Sequence, residues 1–189
     1  VTGRRKVLVF DWCYHGTVDE ALNVLDGDRV VPRPGNTGWA TDPELSVEVV
    51  QFNDVPALER ALSTGEIAAV LAEPALTNIG IVAPDPGFHD ALRRLTAENG
   101  TVLIIDETHT ICCGPGGATR EWGLEPDMFV IGKPIGGGVP CAAYGMTTDI
   151  AERVIDLVDG PDSDVAGIGG TLTANSLSLS ERASRLRSR

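Results

Sequence analysis

A lysine and a carboxylate each follow directly after a short apolar stretch of the sequence. Residues 102–105 (Val-Leu-Ile-Ile) lead into Asp106, and residues 128–131 (Met-Phe-Val-Ile) lead into Gly132 and Lys133. Short apolar, β-branched stretches bounded by charge and glycine are typical of buried strands. Because ligands of open α/β sheets bind outside the carboxyl ends of the strands, we expect Asp106 and Lys133 to lie together at such an edge.

Lys133 is the candidate nucleophile. A lysine amine is neutral and nucleophilic at neutral pH only when it is desolvated or lies near other cationic groups. In a P-loop the lysine follows the glycines and precedes Ser or Thr, whereas Lys133 precedes the three glycines at 136–138, so the pattern is a different one. From its position alone, a solvated loop lysine is the simpler interpretation.

Composition excludes several classes of partner. The chain has 189 residues with ordinary hydrophobic content, which suits one soluble globular domain, and a net charge of −12. Nucleic acid and anionic membranes both need a basic patch, and no apolar stretch approaches the roughly 20 residues of a membrane span. Four irregularly spaced cysteines fit neither a secreted disulfide framework nor a zinc site. We therefore expect a cytoplasmic protein that binds no metal, nucleic acid or membrane.

Apolar strand patterns alternate with helical patterns along the chain. The predicted strands are residues 6–10, 47–52, 68–72, 102–105, 128–131 and 141–146. The predicted helices are residues 19–25, 55–63, 86–99 and 149–158. This alternation predicts an α/β fold with a mostly parallel, helix-covered sheet.

The stretch from residue 103 to residue 133 resembles the core of the class III pyridoxal-phosphate-dependent aminotransferases, including their glutamate-1-semialdehyde aminomutase branch. That pattern is an apolar strand with Asp-Glu, a glycine-containing segment, Pro-Asp, a second apolar strand with Gly-Lys, and three glycines. The chain has LIIDE, GPGG, PD, MFVIGK and GGG in that order. The resemblance implies the large domain of fold type I, a three-layer α/β/α structure.

The resemblance covers only the central part of that large domain. Family members are longer, with an upstream Gly-Ser-rich segment that helps to hold the cofactor phosphate and a C-terminal small domain. We therefore expect a partial cofactor-binding domain at residues 1–180, a solvated tail with four arginines at residues 181–189, and no small domain.

The resemblance assigns cofactor-binding roles to several residues. Lys133 would form a Schiff base with pyridoxal 5'-phosphate and then move a proton during catalysis. Asp106 would keep the pyridine nitrogen protonated, which an electron-sink cofactor requires. Tyr14 would stack on one face of the ring, with His15 as a supporting group, and packing is the ordinary alternative for this pair. Glu73, before Pro74, would lie near the cofactor hydroxyl or the substrate, although a plain strand-end carboxylate fits the same pattern.

Further residues follow from the resemblance or depart from it. Thr171, in a Gly-Gly-Thr segment, would reach the cofactor phosphate of the other subunit, which implies a homodimer with a shared active site. Thr108 stands where the family usually has an apolar residue against the second face of the cofactor. Glu107 is expected to support the site by hydrogen bonding. His109 is either a loop histidine or a determinant of the accepted substrate.

The resemblance implies an enzyme that moves an amino group between an amino acid or amine and a keto acid or aldehyde. An intramolecular aminomutase would use the same residues, and these residues do not separate the two activities. An interpretation from another class is a truncated, non-catalytic α/β module that binds phosphate or dimerises. A phosphate-binding module usually has a glycine-rich turn after its first strand, and residues 11–16 (DWCYHG) do not form one.

Overall fold

The computed structural model describes residues 1–38, 41–158, 176, 179 and 180. Its strands are β1 (Lys6–Phe10), β2 (Asn23–Asp26), β3 (Arg29–Pro32), β4 (Val47–Val50), β5 (Ile67–Ala72), β6 (Val102–Asp106), β7 (Met128–Ile131) and β8 (Ala143–Met146). Its α-helices are α1 (Val55–Ser63), α2 (Phe88–Glu98), α3 (Gly117–Glu121) and α4 (Thr148–Val158). Short 3-10 helices lie at Asp19–Ala21, Pro43–Leu45, Thr110–Cys113 and Lys133–Gly136.

One sheet has the strand order β4-β1-β5-β6-β7-β8. Neighbouring strands from β4 to β7 run parallel, and β8 pairs antiparallel with β7. In this register Asp106 lies opposite Val130, so Lys133 follows just beyond the same end of the sheet. The predicted α/β fold with a mostly parallel sheet is confirmed.

The centre of the sheet is covered on both faces. Leu8, Val9 and Phe10 of β1 are fully buried, although successive strand residues point to opposite faces. Burial on both sides is usual for parallel strands. The Phe10 ring meets Phe52 and Phe88 edge-on, with centroid distances of 5.3 and 5.6 Å. Burying each such side chain stabilises the fold by about 1.5–3 kcal/mol.

Helix α1 begins and packs as its sequence indicates. The Asp54 carboxylate caps it by accepting a hydrogen bond from the Ala57 N–H at 2.9 Å. Leu58 and Leu62 lie one turn apart and are fully buried. Helix α2 buries Phe88, and its Leu92 and Leu95 also lie in the core. These helices cover the sheet whose strand ends hold the candidate site.

The predicted helix at residues 19–25 is wrong. A single 3-10 turn is followed by β2, which pairs antiparallel with β3 through a turn that contains Gly27 in the left-handed region, at φ 63°. A two-residue Gly27-Asp28 turn with apolar residues on both sides favours a hairpin. The buried Asp11 carboxylate also holds β2, because it accepts the Leu25 N–H at 2.9 Å. This tertiary contact overrides the local helical pattern.

Other differences are smaller. The predicted strand at 47–52 ends at Val50, and the predicted strand at 141–146 begins at Ala143. Helix α3 was not predicted, because its five residues begin with Gly117 and are too few to show a helical period. The apolar face predicted for α4 is only partly buried: Ile150 lies in the core, whereas Leu157 is 60% exposed.

Candidate active site

Four candidate residues follow the carboxyl ends of four neighbouring parallel strands. Tyr14 follows β1, Glu73 follows β5, Asp106 ends β6, and Lys133 follows β7. Because these strands run parallel and adjacent, their ends meet at one edge of the sheet. The sequence-based expectation that Asp106 and Lys133 share this edge therefore matches the placement of both residues.

Lys133 has an unusual backbone conformation. It has φ 43°, in the left-handed region that L-residues other than glycine adopt at a cost of about 1–2 kcal/mol. The residue is exposed at the start of its 3-10 turn, and its Nζ lies 2.9 Å from His109 Nε2. The same Nζ lies 5.9 Å from the centroid of the Tyr14 ring. The lysine amine thus stands over an aromatic face and beside an imidazole.

Asp106 is held by hydrogen bonds to both carboxylate oxygens. Oδ2 lies 2.9 Å from His15 Nδ1, and Oδ1 accepts the Thr108 N–H at 2.9 Å. Burial by itself raises the pKa of the Asp106 carboxyl, but the hydrogen bonds from His15 and Thr108 outweigh burial and hold the pKa below its usual value. Asp106 is therefore an ionised carboxylate of fixed orientation.

His15 carries the matching charge. Burial by itself lowers the pKa of the imidazole, but hydrogen bonds to Asp106 and Cys13 outweigh burial and raise the pKa to about 10. The His15 side chain is buried, and its Nε2 has no hydrogen-bond partner among the described residues. The pair is thus a buried imidazolium and carboxylate at the end of β6.

The Glu73 carboxylate connects the loop after β1 with the loop after β5 by hydrogen bonds. It is 3% exposed, and its Oε1 accepts the Tyr14 N–H at 3.2 Å. Its Oε2 accepts the Thr77 N–H at 3.2 Å and the Thr77 hydroxyl at 2.6 Å. The carboxylate therefore positions the backbone that carries the Tyr14 ring.

His109 and Thr77 join the site through a contact that the sequence did not indicate. His109 Nδ1 is hydrogen-bonded to Thr77 Oγ1, and Nδ1 lies 3.9 Å from Glu73 Oε2. The sequence left the role of His109 open and offered no signal for Thr77, whose position depends on how two loops meet.

Glu107 supports the loop that follows β6. It is fully buried and accepts hydrogen bonds from the Thr110 hydroxyl and from the N–H groups of Ala118 and Thr119. A β-carbon at Gly117 would lie 2.7 Å from Glu107 Oε2. These hydrogen bonds hold the following loop and α3, and the expected support of the site itself by Glu107 stays a prediction.

Thr108 and Thr171 are the two remaining candidates for the site. Thr108 lies against the backbone before the lysine, since a β-carbon at Gly132 would lie 3.5 Å from Thr108 Oγ1. Thr171 lies outside the described residues, as does the basic tail at 181–189.

A cavity of about 400 Å³ lies elsewhere, between α2, β6 and the loop after α3, and it contains none of the candidate residues. Within the described part of the chain, no group of three or more His, Cys, Asp or Glu residues is placed to hold a metal ion. The described helices also lack the combination of length and apolar character that a transmembrane span requires.

The sequence matches a known family along almost its whole length. The family described as Aminotransferase class-III matches residues 1–186. The glutamate-1-semialdehyde 2,1-aminomutase of Roseiflexus castenholzii is 39% identical over 190 residues, which cover 98% of this chain and 42% of that protein. The chain thus spans less than half of the length of the relatives it matches.

Solved structures show the same fold. A glutamate-1-semialdehyde aminomutase from Pseudomonas aeruginosa is 46% identical with a TM-score of 0.90, over 96% of this chain and 41% of that one. A lysine-to-alanine variant of that aminomutase was solved in complex with PMP. An omega-transaminase from Sphaerobacter thermophilus is 32% identical with a TM-score of 0.83, over 99% of this chain and 44% of that one. These similarities confirm the expected fold type I architecture, a mostly parallel sheet flanked by helices and present here as part of the large domain. The chain belongs to the class III aminotransferase family.

Proposed function

We propose that this chain forms the catalytic core of a pyridoxal-phosphate-dependent transaminase. The enzyme would move an amino group between an amino acid or amine and a keto acid or aldehyde. The observation that carries the proposal is the meeting of the Lys133 amine, the Tyr14 ring and the Asp106 carboxylate at one edge of the sheet. Family membership supports the cofactor, because a relative with 45% identity was solved in complex with PMP.

The residues present fit this cofactor. When bound, pyridoxal phosphate supplies an aldehyde that links to amines and a ring that draws electrons from the substrate carbon. Lys133 would attach the aldehyde through Nζ and would later carry a proton on the same atom. Tyr14 would hold the plane of the ring, since its own ring lies beneath that Nζ. Asp106 would hold the protonated ring nitrogen, because its carboxylate is ionised and fixed by His15.

The remaining candidates have subsidiary roles. Glu73 would set the position of Tyr14 through its hydrogen bond to the backbone N–H. Thr108 would limit the space on the other face of the ring, because it lies against Gly132. Thr171 would bind the cofactor phosphate across a two-fold homodimer, which follows from the family resemblance. The four free thiols are compatible with a cytoplasmic location.

An aminomutase is the second candidate function. Relatives at 39% and 46% identity carry that name, whereas the omega-transaminase is 32% identical. An aminomutase returns the amine to a neighbouring carbon of the same molecule, so it releases no keto product. Assay of the free keto acid or aldehyde after addition of an amino donor separates the two activities.

The chain suits a direct test of cofactor attachment, because its only lysines are Lys6 and Lys133. Lys6 forms ion pairs with Glu48 and Glu66, at 3.9 and 3.3 Å. We expect borohydride reduction of the protein with pyridoxal phosphate, followed by peptide mapping, to place the label on Lys133. The label should be lost in Lys133→Ala and kept in the control Lys6→Arg, with circular dichroism confirming the fold of both variants. Label on Lys6 or on the N-terminal amine in a folded protein would contradict the proposal.

A further inference from the structure

We propose that His109 is the group that accepts the proton from Lys133, and that Thr77 and Glu73 fix the imidazole in the form that can do so. This inference rests on the proposed function, in which Lys133 attacks an aldehyde, because only a neutral amine can do so. The hydrogen-bond geometry that supports it lies within the chain itself.

The chain of hydrogen bonds has one consistent direction. The Glu73 carboxylate can only accept hydrogen bonds. It accepts from the Tyr14 and Thr77 N–H groups, and the Thr77 hydroxyl therefore gives its single proton to Glu73 Oε2. The Thr77 oxygen must then accept from His109 Nδ1–H. That leaves the lone pair of Nε2 facing the Lys133 Nζ at 2.9 Å.

The transfer balances in protons and charge. An N–H bond of the Lys133 ammonium breaks, and an N–H bond forms at His109 Nε2. The products are a neutral lysine amine and an imidazolium, so the total charge of the pair is unchanged. The buried Glu73 carboxylate, 3.9 Å from Nδ1, stabilises the imidazolium directly and through Thr77. Lys133 thus corresponds to a nucleophile and His109 to its base, and Thr77 with Glu73 orients the base.

Other polar groups at this end of the sheet have partners of their own. Asp106 is held by His15 and by the Thr108 N–H. Tyr14 presents its ring face to Lys133 Nζ, and the Cys112 thiol bonds to the His109 carbonyl. Within the described ranges, His109 is therefore the titratable side chain at hydrogen-bond distance from Lys133 Nζ.

The test measures acetylation of Lys133 by acetic anhydride in the cofactor-free protein at neutral pH, with Lys6 in the same molecule as the reference. We expect His109→Gln to lower the ratio of Lys133 to Lys6 acetylation, because the variant has no group at Lys133 Nζ that takes the amine proton. Glutamine can still accept a hydrogen bond from the lysine but takes no proton. His89→Gln, which alters a histidine bonded to the Pro74 carbonyl, should leave the ratio unchanged. An unchanged ratio in a folded His109→Gln variant would overturn the proposal.

A second measurement uses the unmodified protein and does not depend on the folding of a variant. Nitrogen-15 NMR of the three histidines should show neutral His109 with its proton on Nδ1. A neutral His109 with its proton on Nε2 would overturn the proposal. Neither measurement uses the cofactor, so both can succeed where attachment at Lys133 fails, and the two hypotheses are tested separately.

Discussion

The Asp106 carboxylate and the His15 imidazolium form a buried ion pair, with 2.9 Å between Oδ2 and Nδ1. The pair joins the end of β6 to the loop after β1 and leaves Asp106 charged at the end of the sheet where Lys133 also lies. Its strength therefore affects both the stability of the fold and the charge presented at the candidate site.

The first prediction concerns the pH dependence of stability. The pKa of His15 is raised from 6.5 to about 10, so its contribution is complete below pH 6.5 and is lost as the pH rises towards 10. The pKa of Asp106 is lowered, so its contribution is lost only as the pH falls through the acid range, below its ordinary value of 3.8. We expect His15→Gln to cost about 1–3 kcal/mol of unfolding free energy at pH 6 and less at pH 10, as measured by urea denaturation.

The matched control is His89→Gln, because the pKa of His89 is lowered by burial, against the hydrogen bond to the Pro74 carbonyl. A lowered histidine pKa costs stability as the pH falls, so the effect of His89→Gln should not shrink between pH 6 and pH 10. If the effect of His15→Gln is the same at both pH values, the ion pair does not form in solution.

The second prediction concerns the loop that Glu107 supports. Gly117 has φ 66°, and a β-carbon there would meet the buried Glu107 carboxylate at 2.7 Å. Gly123 has φ 63° but nothing within 4 Å of its β-carbon position. Alanine at either site costs about 1–2 kcal/mol for the left-handed backbone. We expect Gly117→Ala to cost more than Gly123→Ala in urea unfolding, and equal costs would mean that Glu107 moves aside freely.

The third prediction concerns the aromatic ring beneath Lys133. Tyr14→Ala removes the ring, so it should weaken pyridoxal phosphate binding by up to about tenfold, the equivalent of the 0.5–1.5 kcal/mol of an aromatic contact. Tyr14→Phe keeps the ring and should bind nearly as well as the unmodified protein. Fluorescence titration of the cofactor-free variants provides the dissociation constants. Equal weakening in both variants would assign the effect to the hydroxyl rather than to stacking.

Several elements of the fold have a local cause in the sequence. Strands such as β6 and β7 are short apolar stretches that end in charge or glycine, and helix α1 carries its own cap and apolar face. The hairpin of β2 and β3 was missed, because β2 is fixed by the hydrogen bond from the Leu25 N–H to Asp11, which lies outside the segment predicted as a helix.

The sequence by itself determined the mostly parallel sheet and placed Asp106 and Lys133 at the ends of adjacent strands, because strand periodicity and the glycine and charged residues that end strands are encoded locally. Only the tertiary structure decided that His15 pairs with Asp106, that Glu73 holds the Tyr14 backbone, and that His109 stands between Thr77 and Lys133. Those contacts join residues far apart in the chain, and their geometry depends on how loops from separate strands meet at one edge of the sheet.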